Sequence, residues 1–281
     1  MSAFELAQRL VDTLPVGNAG LFNPWKESLA DDEPINTPQA KLERLAAHLD
    51  CQPRFILCGE APGYQGCARS GVAFTSERLL LEGAIPRIPA LSKRLTSRRL
   101  PFSEPSATIV WKALYQVGIA DVTLLWNAVQ LHPFNVGDHL TNRTPKNHEL
   151  MLGAPAMKLL SVAFPEAKIV AVGNKARDLI ESMGIRIAGT VRHPARGGAT
   201  EFTTGLVVAS GDEVLAAAEA HLRAHKYRVR RESSAISAGR GYLREAGNLV
   251  FHICLVTTLI GLAWGALFSF KGTAIVVEGQ A

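Results

Sequence analysis

The sequence predicts a three-layer α/β/α sandwich with a mostly parallel central sheet, followed by a single transmembrane helix. Short apolar runs at 54–58, 122–128 and 168–172 are typical of buried strands. Helical patterns separate these runs, and strands that alternate with helices form a mostly parallel sheet covered on both faces. A run at 249–270 contains no Asp, Glu, Lys or Arg, as expected of a transmembrane helix.

The composition excludes two other classes of protein. With 47% hydrophobic and 20% charged residues, the chain has enough apolar surface to form a core and is not a disordered chain. Its 4 cysteines in 281 residues are too few for a disulfide-stapled mini-protein. The net charge of +5 is compatible with nucleic-acid binding but does not by itself indicate it.

The remaining elements follow from capping residues and periodicity. Thr37 and Pro38 are a typical start for a helix, which continues to about residue 49. The segment 15–36 is rich in turn-forming residues and predicts a loop, and 190–193 predicts a last short strand. The other predicted helices cover 4–14, 75–81, 146–164 and 174–183, with one more inside 103–118.

Polar loops follow three of the predicted strands, at 59–64, 127–135 and 192–198. The carboxyl ends of parallel strands lie at one edge of a sheet, where α/β proteins bind their ligands. We therefore expect the three loops to meet and to form one site.

The first of these loops reads GEAPGY. Gly59 and Gly63 allow a ligand to approach the backbone closely, and Pro62 stiffens the turn. The loop matches neither the dinucleotide fingerprint nor the phosphate loop of nucleotide triphosphatases. Glu60 is a candidate acid, base or water-holding group, and the alternative is a solvated loop carboxylate.

Three further side chains are candidates for ligand binding and acid–base chemistry. Phe74 could stack on a planar ligand, and the alternative is a ring that faces the core. Asn127 has a donor and an acceptor and could read the edge of a base, and the alternative is a turn-forming role. His193 is the candidate imidazole or a structural histidine. His132 ranks below it because it lies five residues beyond Asn127.

The motifs GEAPGY, GVAFTSE, a strand that ends in Asn127, VGNKA and HPARGG occur in this order. The combination resembles the uracil-DNA glycosylase superfamily over about residues 20–205, and GEAPG is typical of its branches with Glu in the first motif. The resemblance implies an enzyme that flips uracil out of DNA and hydrolyses its N-glycosidic bond. Uracil-containing DNA is the implied partner.

The resemblance also implies a role for each matching residue. Glu60 matches the residue that positions or activates water, and His193 matches the histidine that stabilises the departing uracil anion. Phe74 matches the ring that stacks on uracil, and Asn127 matches the amide that reads the base edge. The other implied substrate-binding residues belong to the first loop: Gly59, Ala61, Pro62, Gly63 and Tyr64. The implied DNA-binding residues enter the duplex: Ala195, Arg196, Gly197 and Gly198.

The chemistry of glycosidic cleavage agrees with these roles. Breaking the bond creates positive charge on the sugar and negative charge on the leaving base. A carboxylate stabilises the first, and an imidazole donor stabilises the second. An asparagine amide can accept from uracil N3–H and donate to O4, whereas cytosine presents the reverse pattern.

Two features depart from the family pattern. Branches with GEAPG often bind an iron–sulfur cluster through four cysteines, but Cys51, Cys58 and Cys67 lack the spacing of cluster or zinc ligands. Cys254 lies in the apolar run, so we predict no metal and no cofactor. Ala195 stands where many members have serine, which removes one hydroxyl contact to phosphate.

The apolar run 249–270 is long enough to cross a bilayer, since a helix of this length spans roughly 33 Å. The alternative is a buried core helix. Basic residues precede the run and only Lys271 follows it, which places the N-terminal domain, residues 1–205, in the cytoplasm. A basic juxtamembrane linker at 206–248 and an extracytoplasmic tail at 271–281 complete the predicted single-pass membrane protein.

The segment 206–281 resembles a fragment of the ResB family of cytochrome c biogenesis membrane proteins, through YRVR, GYLREAGNLVFH, LIG and KGTAIVVEGQ. The resemblance implies haem handling, in which His252 matches a motif histidine, and partners in cytochrome c biogenesis. Three functions therefore stay open. They are a membrane-tethered repair glycosylase, a ResB-like protein with an incidental N-terminal domain, and a catalytically silent DNA-binding module.

Overall fold

The computed structural model describes residues 1–195, 197–210, 219–220, 222–231, 236–239 and 242–268. The helices are α1 (Ala3–Asp12), α2 (Pro38–Leu49), α3 (Cys67–Ser70), α4 (Glu77–Leu81), α5 (Pro105–Val117), α6 (Asn147–Leu150), α7 (Ala154–Ala163), α8 (Asn174–Ser182), α9 (Ala199–Ser210) and α10 (Tyr242–Phe268). The strands are β1 (Leu21–Phe22), β2 (Phe55–Gly59), β3 (Thr123–Asn127), β4 (His132–Pro133), β5 (Lys168–Val172), β6 (Gly189–Val191), β7 (Arg228–Arg231) and β8 (Ile236–Gly239).

The central sheet has four parallel strands in the order β3-β2-β5-β6. The register aligns Gly59 with Asn127 on the neighbouring strand. On the other side, Cys58 pairs with Ala171 and Val172 pairs with Val191. The carboxyl ends of the four strands therefore lie at one edge of the sheet, as predicted.

Alternate residues of β2 pack on opposite faces of the sheet, because side chains of a strand alternate in direction. Ile56 and Cys58 join a core with apolar residues of α1, α2, α7 and α8. Phe55 and Leu57 join a second core with α5 and α9. Helices thus cover both faces of a parallel sheet, which confirms the predicted α/β sandwich.

The predicted helix over 146–164 is wrong as a single element. The structure has α6, a 3₁₀ turn (Met151–Gly153) and then α7, which has a proline in its first turn. A side chain at Gly153 would collide with the carbonyl oxygen of Ala128. Close packing of this turn against the end of β3 therefore overrides the continuous helical pattern.

The short strands β1 and β4 have no counterpart in the sequence prediction. Within the segment predicted as a loop, β1 pairs with β4 in antiparallel fashion, with Leu21 opposite Pro133. The predicted last strand ends at Val191, so His193 lies in the following loop and not in the strand. Two-residue strands carry too little periodicity to be recognised from sequence.

The C-terminal part begins where α9 packs its buried Leu206 and Val207 against the sheet. Helix α9 therefore crosses the boundary that we placed at residue 205. Strands β7 and β8 form a hairpin, and α10 follows. Within α10, Gly247–Phe268 is long and apolar enough to cross a membrane, and none of it is buried in the protein. The predicted tail at 271–281 lies outside the described residues.

Candidate active site

A cavity of about 650 Å³ opens at the carboxyl edge of the sheet. It is lined by residues from all three polar loops and from the segment that precedes α4. The sequence-predicted residues that line it are Glu60, Ala61, Pro62, Gly63, Phe74, Asn127, His193 and Ala195. The fold therefore brings together both members of the implied catalytic pair and the two side chains expected to bind the base.

Gly59 packs against two of these side chains, Phe74 and Asn127. A Cβ atom at Gly59 would lie 2.6 Å from Phe74 Cζ and 3.0 Å from Asn127 Oδ1. Phe74 has a positive φ of 48°, which is unfavourable for a residue with a side chain. The indole N–H of Trp111 donates to the Phe74 carbonyl over 2.9 Å and helps to hold this conformation.

Asn127 is only 5% exposed, at the end of β3. Its carbonyl oxygen accepts a hydrogen bond from the Gln130 side chain over 2.6 Å. Within the described residues its side-chain amide has no hydrogen-bond partner, although it lines the cavity. A buried amide without a partner is unfavourable, so this group is available to a ligand that offers one donor and one acceptor.

The Glu60 carboxylate lies at a more open position of the cavity, with 30% of its side chain exposed. Lys175 Nζ is 3.7 Å from Glu60 Oε1 and donates to the Thr144 hydroxyl over 2.9 Å. The backbone of Glu60 is fixed, because its carbonyl accepts the Val129 N–H over 3.0 Å. Glu60 therefore combines a fixed backbone with a carboxylate that reaches solvent.

His193 follows β6 and faces Phe74, with ring centroids 6.5 Å apart. The N–H of Ala195 donates to His193 Nδ1 over 3.2 Å, which assigns the ring proton of the neutral imidazole to Nε2. Desolvation lowers the pKa of His193 below its ordinary value. The imidazole is therefore neutral at physiological pH and presents an N–H donor.

The competing histidine lies beneath the first loop and does not line the cavity. His132 is fully buried, and its Nδ1 is 2.9 Å from the Pro62 carbonyl oxygen. Because a carbonyl only accepts hydrogen bonds, this contact places a proton on Nδ1. Burial lowers the pKa of His132, so it acts as a neutral support for the Pro62 turn.

Tyr64 also lies away from the cavity lining. Its ring packs edge-on against Phe102, and its backbone N–H donates to Asn142 Oδ1 over 3.0 Å. In the segment expected to bind DNA, Gly197 has a positive φ of 79°, and a side chain at Gly198 would collide with the His193 carbonyl oxygen. These glycines allow the tight turn after His193. Arg196 lies outside the described residues.

Several residues that line the cavity were not identified from the sequence. They are polar or charged and come from loops and helix ends: Glu104, Ser106, Asn142, Arg143, Asn174 and Lys175. Lys175 lies in the VGNKA motif directly after β5, so its position in the sequence could have indicated that it lines the cavity. Glu104 carries no motif and is remote in sequence from the three loops.

The cysteines do not form a metal centre in the part of the chain that the structure describes. Burial raises the pKa of both Cys58 and Cys67, so these thiols are protonated in their apolar surroundings. Cys58 Sγ lies 3.9 Å from Met157 Sδ inside the core. Among the described residues, no group of three or more Cys, His, Asp or Glu is placed to hold a metal ion. These residues do not fit an iron–sulfur cluster.

Comparison with known proteins supports both resemblances. The family model of the ResB-like family matches residues 169–281, and this match begins within β5 of the sheet. The crystal structure of wild-type SMUG2 from Pedobacter heparinus, a uracil-DNA glycosylase, has a TM-score of 0.50 and 14% sequence identity. The alignment covers 80% of this chain and 97% of SMUG2. A comparison with curated proteins finds no match. The chain thus joins a fold similar to that of a uracil-DNA glycosylase to a ResB-like C-terminal region.

Proposed function

We propose that the N-terminal domain excises uracil from DNA by hydrolysing its N-glycosidic bond, while α10 tethers it to a membrane. The observation that carries the proposal is that Glu60, Phe74, Asn127 and His193 line one cavity. A stacking ring, an unpartnered amide, a carboxylate and a neutral imidazole are the groups that glycosidic cleavage of a flipped base requires.

Base recognition depends on Phe74 and Asn127. An extruded uracil stacks on the Phe74 ring, which offsets part of the few kcal/mol that unstacking a base costs. The Asn127 amide accepts from N3–H and donates to O4. Cytosine offers the opposite pattern at these positions and leaves the buried amide unpaired, which disfavours its binding.

Bond cleavage depends on His193 and Glu60. As the C1′–N1 bond breaks, its electron pair moves into the uracil ring, and His193 Nε2–H donates to the carbonyl oxygen that gains negative charge. The Glu60 carboxylate stabilises the positive charge on the sugar, holds the water that attacks C1′ and accepts the proton that this water loses. The neutral state of His193 suits this role, because an imidazole that is already a donor needs no prior protonation.

The surroundings of the cavity suit a polyanionic substrate. Lys175 is 60% exposed at the cavity, where it could contact a phosphate oxygen of the flipped nucleotide. The segment Ala195–Gly198 follows His193 and would enter the duplex at the extruded base. Binding through such contacts weakens as the salt concentration rises.

Membrane attachment follows from α10, and the basic residues of the preceding segment favour a cytoplasmic N-terminal domain. Five of these residues belong to one stretch: Arg223, Lys226, Arg228, Arg230 and Arg231.

The test is a glycosylase assay of the full-length protein in detergent, on single- and double-stranded oligonucleotides with one uracil. We expect abasic product from the wild type and about 100-fold less from His193→Ala or Glu60→Gln. Binding of the oligonucleotide without any abasic product would instead indicate a silent DNA-binding module.

Haem handling is the second candidate, because the ResB-like match includes α10. His252 lies near the start of the apolar stretch, with Nδ1 2.8 Å from the Asn248 carbonyl oxygen, so Nε2 is the nitrogen that would bind haem iron. Haem absorbance in the full-length protein that disappears in His252→Ala would support this function. The cavity residues of the N-terminal domain have no role in it.

A further inference from the structure

Glu104 is a partly buried acid in the cavity wall that the proposed mechanism does not use. It precedes α5, and its side chain does not cap that helix. Its Oε1 accepts a hydrogen bond from the Ser106 hydroxyl over 2.7 Å. Its Oε2 is buried and has no hydrogen-bond partner in the structure.

The other two buried glutamates of the domain are fully satisfied. Glu77 accepts hydrogen bonds from Arg94, Leu95, Thr96 and Phe102. Glu149 accepts two bonds of 2.7 Å from Arg143 and one of 2.7 Å from the Lys146 N–H. These acids support the fold. No cation pairs with Glu104 in the described ranges, so its Oε2 is a buried carboxylate oxygen without a partner, which is unfavourable.

The first loop is shaped around this carboxylate. A side chain at Gly66 would collide with Oε2, and a Cβ atom at Gly63 would lie 3.4 Å from Oε1. The carboxylate therefore contacts the backbone of the loop that begins with Glu60. Gly63, which the sequence associated with close approach of a ligand, and Gly66, just after this loop, leave room for the Glu104 carboxylate.

We propose that Glu104 supplies a second negative charge to the cavity, which stabilises the positively charged sugar as the glycosidic bond breaks. This inference rests on the proposed function. Glu60 holds the water at the solvent side, while the Glu104 charge acts through Oε2, a buried atom that solvent screens little. No proton transfer by Glu104 is involved.

The charge state of Glu104 is set by opposing influences. Burial raises the pKa of Glu104, whereas the Ser106 hydroxyl opposes this rise. The N-terminal end of α5, a helix of 13 residues, also favours the ionised form. Cys67 is a titratable group that faces Glu104. Burial and Glu104 both raise the pKa of Cys67, so its thiol stays neutral. Activity should therefore rise with pH as Glu104 ionises.

The test compares Glu104→Gln with Glu77→Gln in the full-length protein, using kcat, KM and melting temperature above pH 7.5. Glutamine at 104 keeps the bond from Ser106 and removes the buried charge. We expect kcat to fall about tenfold, KM to stay within twofold and the melting temperature not to fall. Glu77→Gln should lower the melting temperature and leave kcat within twofold at a temperature where the protein is folded.

The pH dependence of kcat would not change if Glu104 had only a structural role, so it tests the proposal separately from stability. Removing the hydroxyl in Ser106→Ala should move the acidic limb of kcat to higher pH, because that hydroxyl lowers the pKa of Glu104. The fall in kcat at acidic pH that is due to protonation of Glu104 should be absent in Glu104→Gln. Two outcomes would overturn the role of Glu104 when the wild type is active. One is an unchanged kcat in Glu104→Gln, and the other is a loss of kcat in this variant that parallels a fall in its melting temperature. An inactive wild type would overturn the proposed function as well.

Discussion

Gly59 lies directly against Phe74, whose ring lines the cavity and occupies the space that a side chain at position 59 would need. The same glycine lies opposite Asn127 in the parallel register of β2 and β3. One residue without a side chain therefore sets the position of both groups that we propose to bind uracil.

Gly59→Ala should lower kcat/KM by about 100-fold, because the new methyl group displaces Phe74 and Asn127 and a shift of about 1 Å has effects of this size. Steady-state kinetics on a uracil oligonucleotide measure the change. Gly118→Ala is the control, since Gly118 has a φ of 74° and open space around it. It should cost about 1 kcal/mol of stability and leave kcat/KM unchanged. Equal kinetics for both variants would contradict this geometry.

Asn127→Asp should abolish uracil selection, because a carboxylate cannot donate a hydrogen bond to O4. We expect kcat/KM for uracil to fall at least 100-fold, as a buried site that reads a polar group discriminates strongly. Asn135→Asp, at an exposed position after the same strand, is the matched control and should stay within twofold of the wild type. Unchanged turnover by Asn127→Asp would exclude Asn127 as the group that reads the base.

The two histidines should respond to substitution in opposite ways. His193→Ala should reduce kcat by about 100-fold and leave stability nearly unchanged, since the ring lies at the cavity surface. His132→Ala should cost about 2 kcal/mol of stability, because it removes the support of the Pro62 carbonyl and leaves a cavity. Thermal melting and single-turnover kinetics separate the two effects. A larger loss of kcat in His132→Ala, measured on folded protein, would reverse the assignment.

The pH dependence of stability should report His48, which is fully buried and whose Nε2 accepts the Leu125 N–H over 2.9 Å. Burial lowers the pKa of His48 to about 3. Its contribution to stability is present above pH 6.5, the pKa of the unfolded state, and is lost as the pH falls. Between pH 6.5 and pH 5 the loss is about 2 kcal/mol. Denaturant unfolding should show this slope, and His48→Gln should reduce it. A slope equal to that of the wild type would exclude His48 as its source.

Membrane attachment should depend on the apolar surface of α10. Leu259→Arg combined with Leu262→Arg places two charges in the apolar stretch, each costing about 3 kcal/mol at a helix centre. The full-length variant should move from the membrane fraction, which resists alkaline extraction, to the soluble fraction. Leu259→Ala with Leu262→Ala is the control and should stay in the membrane. Retention of the arginine variant would indicate a different attachment.

The agreement between sequence and structure is best for the parallel sheet. The run 168–172 forms β5 with the predicted bounds. Strand β2 begins and ends one residue later than predicted, and β3 is one residue shorter than predicted at each end. These strands are continuous apolar runs that end at glycine or asparagine, so local pattern and burial point the same way. The parallel direction of the strands then places the three polar loops at one edge. This explains why Glu60, Asn127 and His193 could be predicted from the sequence to lie close together.

The position of Glu104 could not be predicted from local sequence patterns. An acidic residue before a helix is common, and nothing local distinguishes Glu104 from an ordinary capping residue. Its burial and its missing partner arise from contact with Gly63 and Gly66, which lie far from it in sequence. The break between α6 and α7 at Gly153 has a similar origin, in contact with the end of β3.

By itself the sequence determined the strands, the loops at their carboxyl ends and the apolar stretch of α10, because periodicity, glycine placement and the absence of charge are local properties. Only the tertiary structure decided that Phe74 rests on Gly59, that His132 supports Pro62 while His193 faces the cavity, and that Glu104 is buried beside the first loop. Those relationships depend on which distant segments pack together, and packing is a property of the whole fold.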